Sequence, residues 1–140
     1  MSSNGSRAFR GFIDLLQSQK SWLHERVTAF DLTPQLFHAL QVLEKHPNSS
    51  MREFSENMFC DASNATGLID RLERRGLVER HPAAGDRRAK VVRLTPAGSR
   101  LYKRIDDAVM GEAPPAIAKL SAADQRALRE IVERALKNID

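Results

Sequence analysis

The sequence predicts a mainly helical fold that carries one small β-hairpin, and three observations predict it. Apolar residues recur at helical spacing over most of the 140 residues. Strand-like runs are confined to Leu77–His81 and Lys90–Leu94. Charge is uneven: Asp70–Arg104 holds 11 Lys/Arg against 4 Asp/Glu, a local +7, and the remaining residues hold 11 against 14, or −3. A basic block on a mildly acidic frame is the footprint of a polyanion binder, although a charge run alone is more often a solvated face.

The first helix is expected from about Ser6 to Phe30. Phe9, Leu16, Leu23 and Phe30 lie seven apart, Ile13 and Val27 take the complementary positions, and Phe12, Leu15 and Trp22 add a second apolar face. Thr33-Pro34 is a cap followed by a proline at the first helical position, and starts a second helix that runs to about His46. Ser50 and Glu53 read as a capping box for a third helix, about Met51 to Met58. Asp61 caps the fourth, in which Ala65, Leu68, Ile69 and Leu72 fall at i, i+3, i+4 and i+7 and define a buried stripe. Gly76 follows its last turn, where a left-handed residue is expected. The third and fourth helices, joined by Phe59-Cys60, form a helix-turn-helix.

Two strands come next. Between them Pro82 to Ala89 is expected as a connection far longer than a two-residue tight turn, tipped by Arg87 and Arg88. Thr95-Pro96 starts another helix with a stripe of Leu101, Ile105 and Val109; Gly111 and Pro114-Pro115 break the chain. Ser121 and Asp124 open a last helix whose Leu128, Ile131, Val132, Leu136 and Ile139 keep helical period. The fold class is therefore mainly α: a winged helix-turn-helix lobe with a small β-hairpin wing, plus a helical dimerisation lobe from both termini. The chain reads as a single domain, residues 1–140, with 6–30 and 112–140 as dimerisation helices and 33–110 as the winged lobe and its linking helix. The apolar stripes of the terminal helices need burial, and a two-fold partner is the simplest provider, so a homodimer is expected.

The face of the fourth helix opposite its stripe carries Ser63, Asn64, Thr66, Gly67, Asp70, Arg71 and Arg74. Small hydrogen-bonding groups at a helix N-terminus suit base edges and phosphates, since the helix dipole favours an anion there. Asn64 can pair two-pronged with adenine, and Arg71 or Arg74 with guanine or phosphate. Gly67 either admits the groove wall or is a tolerated helix glycine that costs about 1 kcal/mol. Arg88 at the wing tip suits a narrow, electronegative minor groove. Arg87 and Lys90 suit phosphates, giving affinity and salt sensitivity rather than sequence information.

Other signals point away from chemistry. No phosphate loop, nucleophile elbow or paired-carboxylate site is present, so neither an enzyme nor a cofactor is expected. His24, His38, His46 and His81 lack metal-ligand spacing, and no metal site is expected. Asp106-Asp107 point about 100° apart on a helix and read as solvated charges. Cys60 either packs as a small hydrophobe in the helix-turn-helix turn or senses oxidants, and packing is the commoner role. No apolar run approaches the ~18 residues that span a bilayer, and no secretory segment follows the polar start, so a cytoplasmic protein without a membrane partner is expected.

The helix order, Leu72-Glu73-Arg74-Arg75-Gly76-Leu77-Val78, Asp86-Arg87-Arg88 and Leu94-Thr95-Pro96-Ala97-Gly98 resemble the MarR family of winged-helix transcriptional regulators. The resemblance covers nearly the whole chain and is strongest from Leu32 to Gly98. It implies a homodimer with interleaved ends, the fourth helix of each subunit in the major groove, Arg88 in the flanking minor groove, and Asp86 bracing the wing by a salt bridge. It also implies a repressor, released in the family by small aromatic acids, metals or thiol oxidants; here a pseudo-palindromic double-stranded DNA operator and a small aromatic or anionic effector are expected. In the family the effector pocket lies at the junction of the lobes, where Phe12, Leu16, Phe37, His38 and Tyr102 are the candidate lining here. A second reading, from a different class, is a helical ligand-binding or scaffold protein whose basic hairpin binds an acidic partner or RNA.

Overall fold

The computed structural model describes residues 3–139. It resolves into two compact units that divide between Val109 and Met110. No helix among the described residues is long and apolar enough to cross a membrane.

The first unit opens with α1 (Asn4–Ser18) and α2 (Lys20–Thr28) where one continuous helix was expected. The Ser18 hydroxyl donates to the Leu15 carbonyl at 2.7 Å, and Gln19 leaves the helical region at ψ 1°. A side-chain hydroxyl competing for a helix carbonyl favours such a break. The two helices differ in environment. Phe9, Phe12 and Leu16 on α1 are exposed, whereas Val27 on α2 is fully buried.

α3 (Pro34–Lys45) starts where Thr33 accepts from the Leu36 N–H at 3.1 Å and buries Leu36, Phe37, Ala39, Leu40, Val42 and Leu43. It is the centre of the core. Ser49–Ser50 form a short β1, and Ser50 caps α4 (Met51–Met58) by accepting from the Glu53 N–H. α5 (Ala62–Arg74) follows, with all four residues of its expected stripe, Ala65, Leu68, Ile69 and Leu72, buried. Burial of such side chains at about 1.5–3 kcal/mol each holds the helix to the lobe.

β2 (Val78–Ala83) and β3 (Asp86–Leu94) are antiparallel, and the sheet order is β1-β3-β2. The long connection expected between them is overturned. Pairing continues to Ala83↔Asp86, past an irregularity at Pro82/Ala83, and leaves only Ala84 and Gly85 in the turn. Gly85 sits at φ +80°, a conformation that lets a two-residue turn close. Arg87, Arg88 and Lys90 are thus strand residues, and their exposure means no apolar alternation marks them as such.

α6 (Pro96–Met110) is locked to the sheet at its first turn. Thr95 Oγ1 donates to the Gly76 carbonyl at 2.6 Å and accepts from the Gly98 N–H at 3.0 Å, while the Thr95 N–H donates to the Leu77 carbonyl at 3.0 Å. Gly98 lies so close to the residue just before β2 that a Cβ would fall 2.0 Å from the Leu77 oxygen.

The second unit holds a short α7 (Pro115–Ala118) and α8 (Ala122–Leu136). Ser121 caps α8 through the Asp124 N–H, and Gln125 Nε2 donates to carbonyls of Ile117, Ala118 and Leu120, tying the two helices together. Ile131, Val132, Leu136 and Ile139 are exposed.

Candidate nucleic-acid interface

The interface candidate is the outer face of α5 and the wing beside it. Asp61 Oδ1 accepts from the Asn64 N–H at 2.7 Å, and its Oδ2 lies 3.3 Å from Asn64 Nδ2. The same carboxylate therefore caps the helix and steadies the Asn64 amide. Thr66 Oγ1 donates to the Ala62 carbonyl at 2.9 Å, so outwardly it offers an acceptor and a methyl group. Ser63, Asn64, Thr66, Arg71 and Arg74 are all exposed. At Gly67 a Cβ would meet nothing within 4 Å, so internal packing gives no reason for a glycine there.

Sequence reasoning missed the device that joins α5 to the wing. Arg80 on β2 reaches Asp70 at 2.9 Å and Glu73 at 2.6 Å, both on α5. The hydrogen bond to Asp70, aided by the charge of Glu73 and opposed by burial, holds the guanidinium protonated beyond its ordinary range. Asp70, grouped by sequence with the exposed groove-facing residues, is instead half-buried and spent on this clamp. A signal existed: acids at i and i+3 share a helix face and make a seat for one cation.

A second cluster lies on the hairpin itself, Glu79 and His81 on β2 and Arg93 on β3. Glu79 Oε1 lies 3.3 Å from Arg93 Nε and 2.7 Å from His81 Nε2, the latter without hydrogen-bond alignment, and Arg93 Nη2 lies 3.2 Å from His81 Nδ1. The neighbouring His81 first, opposed by burial and joined by Arg93, pulls the Glu79 carboxyl below the usual range.

At the wing tip Arg87, Arg88 and Lys90 are exposed. The salt bridge expected of Asp86 is replaced by a local bond: its Oδ1 accepts from the Arg88 backbone N–H at 2.9 Å, and no cation among the described residues pairs with it. An aspartate that bonds a backbone N–H two residues on braces a turn without a partner charge.

Of the residues singled out as an effector pocket, the structure brings Phe37 and Tyr102 together, rings stacked at 5.8 Å and 23°. Phe12, Leu16 and His38 are exposed. An open cleft of about 640 Å³ lies elsewhere, lined by Lys20, Ser21, Leu23, His24, Glu25 and Pro34. Cys60 is half-buried against the core. Among the described residues no group of three or more His, Cys, Asp or Glu is placed to hold a metal.

A profile described as "MarR family" matches residues 32–90, the stretch that runs through α3, α4, α5 and β2 into the wing. The chain is 31% identical over 111 residues to the uncharacterized HTH-type transcriptional regulator YfiV of Bacillus subtilis, covering 77% of this chain and 69% of that protein. The chain belongs to the MarR family. It is also 32% identical over 107 residues to a Thauera aromatica protein described as a putative transcriptional regulatory protein for the hcr operon, covering 76% of this chain and 64% of that one. The match thus spans about two thirds of these relatives' length. Membership places the chain among helix-turn-helix transcriptional regulators and not among enzymes.

The likeness of fold to solved MarR-family structures extends over most of the chain. A cysteine-to-serine mutant of MarR from E. coli superposes with a TM-score of 0.83 at 22% identity, covering 97% of this chain and 98% of that one. A MepR mutant from S. aureus, solved bound to an oligodeoxyribonucleotide, gives 0.66 at 19% identity, covering 99% and 100%.

Proposed function

We propose that this MarR-family chain is a homodimeric, sequence-specific repressor of a pseudo-palindromic operator in double-stranded DNA. The observation that carries the reading is the α5 surface: a capped N-terminus presenting Ser63, Asn64 and Thr66, an unobstructed Gly67, and a clamp through Arg80 that ties this face to the arginine-tipped wing. Groups of that kind at a helix N-terminus suit base edges and phosphates, and a rigid link between helix and wing suits simultaneous contact with major and minor grooves. That a MepR mutant of the same fold was solved with an oligodeoxyribonucleotide supports DNA as the partner.

The exposed apolar stripes Phe9, Phe12 and Leu16 on α1, and Ile131, Val132 and Leu136 on α8, support a second copy of the chain as their cover. A two-fold dimer sets its two α5 helices about one DNA turn apart, which demands a pseudo-palindrome. Family membership supports regulation by an effector, which we take to be a small aromatic or anionic molecule, and the stacked Phe37–Tyr102 pair is the candidate aromatic contact. The site of action in this reading is the cytoplasm.

Fluorescence anisotropy against the gene's own upstream duplex and a scrambled duplex, over several salt concentrations, tests the reading. Binding about 10³-fold tighter to the upstream duplex, with a slope of several phosphates, is the expected result. Arg88→Ala should weaken the specific complex; an unchanged affinity removes Arg88 from the interface. Equal, weak binding to both duplexes returns the basic hairpin to the reading of an acidic-partner or RNA contact.

A further inference from the structure

The turn between α4 and α5 holds a phenylalanine where folding alone would place a glycine. The Cys60 N–H donates to the Ser55 carbonyl and the Phe59 N–H to the Glu56 carbonyl, both at 3.1 Å, which is the pattern of a helix end closed by a left-handed residue. Phe59 is that residue, at φ +53°. Three non-glycine residues in the described chain have positive φ; the other two, Asp31 and Asn48, are of types that tolerate it. For a bulky aromatic the conformation is strained.

Burial does not offset that strain. Phe59 is 94% exposed, between a buried Met58 and a half-buried Cys60. Isolated exposed apolar residues are ordinary, but one held in a strained backbone and facing water has no folding rationale, and such residues gather at functional sites. The other exposed large hydrophobics lie on α1 or from Met110 onward, so Phe59 stands apart from both stripes assigned to the partner copy.

Its position is two residues before Asp61, the cap of α5, and four before Ser63, the first small polar residue of that helix's exposed face. From Met51 to Ile69 the chain has one cation, Arg52, already paired with Glu56 at 3.1 Å, against the acids Glu53, Glu56 and Asp61. This turn cannot hold a phosphate by charge. What it can offer a duplex is apolar surface, and duplex DNA has apolar groups at the groove edge: the deoxyribose faces and the thymine methyl.

We propose that Phe59 is a DNA contact, its ring packed on the apolar edge of the duplex where α5 enters the groove. The proposal rests on the operator-binding reading. It gives the protein affinity that does not come from counterion release and so is insensitive to salt.

The test uses the full-length protein and a duplex enriched by the wild type from a randomised pool, with a scrambled duplex alongside. Phe59→Gly and Phe59→Asn both relieve the left-handed strain, and Phe59→Tyr keeps the ring. The glycine and asparagine variants should bind the enriched duplex on the order of tenfold more weakly, with an unchanged salt slope and a Tm equal to or above wild type. Phe59→Tyr should retain most of the affinity. Lys90→Ala, as a phosphate-contact control, should lower the slope by about one. If replacing thymine by deoxyuridine removes the wild type's advantage over Phe59→Gly, the contact is a thymine methyl. If the advantage persists, and on the scrambled duplex also, it is deoxyribose. An enriched duplex bound equally well by wild type and Phe59→Gly overturns this proposal alone and turns the ring toward a protein partner. A pool that yields no enriched duplex overturns the operator reading and this proposal together.

Discussion

Arg80 of β2 lies 2.9 Å from Asp70 of α5, and this contact ties the wing to the helix proposed to enter the groove. Arg80 reaches Glu73 one turn further along at 2.6 Å, so a single cation holds two points of α5. About a quarter of its side chain is exposed, which places the pair between a surface ion pair and a buried one. Arg80→Met should therefore cost only about 1 kcal/mol of stability, read as a small shift of the denaturation midpoint. Specific DNA affinity should fall by more than that stability change implies, because two contact sites lose their mutual registry. Equal binding by Arg80→Met and wild type in the anisotropy assay would make the clamp structural only.

Gly98 meets the Leu77 carbonyl with no room for a methyl group, since a Cβ would sit 2.0 Å from that oxygen. The neighbour is backbone, itself bonded to the Thr95 N–H, so it cannot yield cheaply. Gly98→Ala should destabilise the fold by about 2–4 kcal/mol, a steric overpacking penalty at the junction of α6 and the sheet. Chemical denaturation of the two proteins measures it, and a loss under ~0.5 kcal/mol would show that α6 can slide outward.

The sequence was legible wherever structure is local. Thr33, Ser50, Asp61 and Ser121 each cap the helix expected of them, because a cap is a bond between residues three apart. The α5 stripe was legible for the same reason: burial on one face imposes a 3.6-residue period. What escaped is non-local or too short to carry a period. Strand β1 has two residues and exists only because Ser49 meets Val92. The wing strands extend beyond their apolar part because Pro82 pairs with Lys90 and Ala83 with Asp86, in a stretch where residues 84–90 are exposed and leave no apolar period. Arg80 with Asp70, and Gly98 with Leu77, are contacts across elements that no window of sequence contains. The α1–α2 break turns on one serine hydroxyl, a choice that apolar spacing does not record. At the candidate interface the small polar residues were visible as a face, but the division of Asp70 to the clamp and Ser63 to solvent needed the position of β2.

Gly67 separates a tolerated glycine from a functional one. It lies on α5 with open space where a Cβ would go, and its backbone is helical. Gly67→Ala should raise stability by about 0.5–1 kcal/mol through helix propensity and lower unfolded-chain entropy. Specific DNA affinity should nevertheless drop if the groove wall occupies that space. A variant that is more stable and binds equally well would return Gly67 to the status of an ordinary helix residue.

Tyr102 offers a titration in which a single group can be followed, since the chain has one tyrosine. Burial first, then the charges of Asp106 and Glu44, raise its pKa above the ordinary 10.0, opposed by a hydrogen bond with Gln41. A raised folded value means that the fold favours the neutral phenol. The resulting stability is fully present below about pH 10, the unfolded value, and is lost as pH climbs through the folded one. Tyrosinate absorbance should therefore show a higher midpoint in native protein than in guanidinium chloride. Asp106→Asn should bring the native midpoint down toward the denatured one by removing a repelling charge. Because the ring stacks on Phe37 of the core helix α3, ionising it should also loosen the α3–α6 contact in the same alkaline window. Coincident native and denatured midpoints would mean that the phenol is solvated and that the stacked pair contributes no pH-dependent stability.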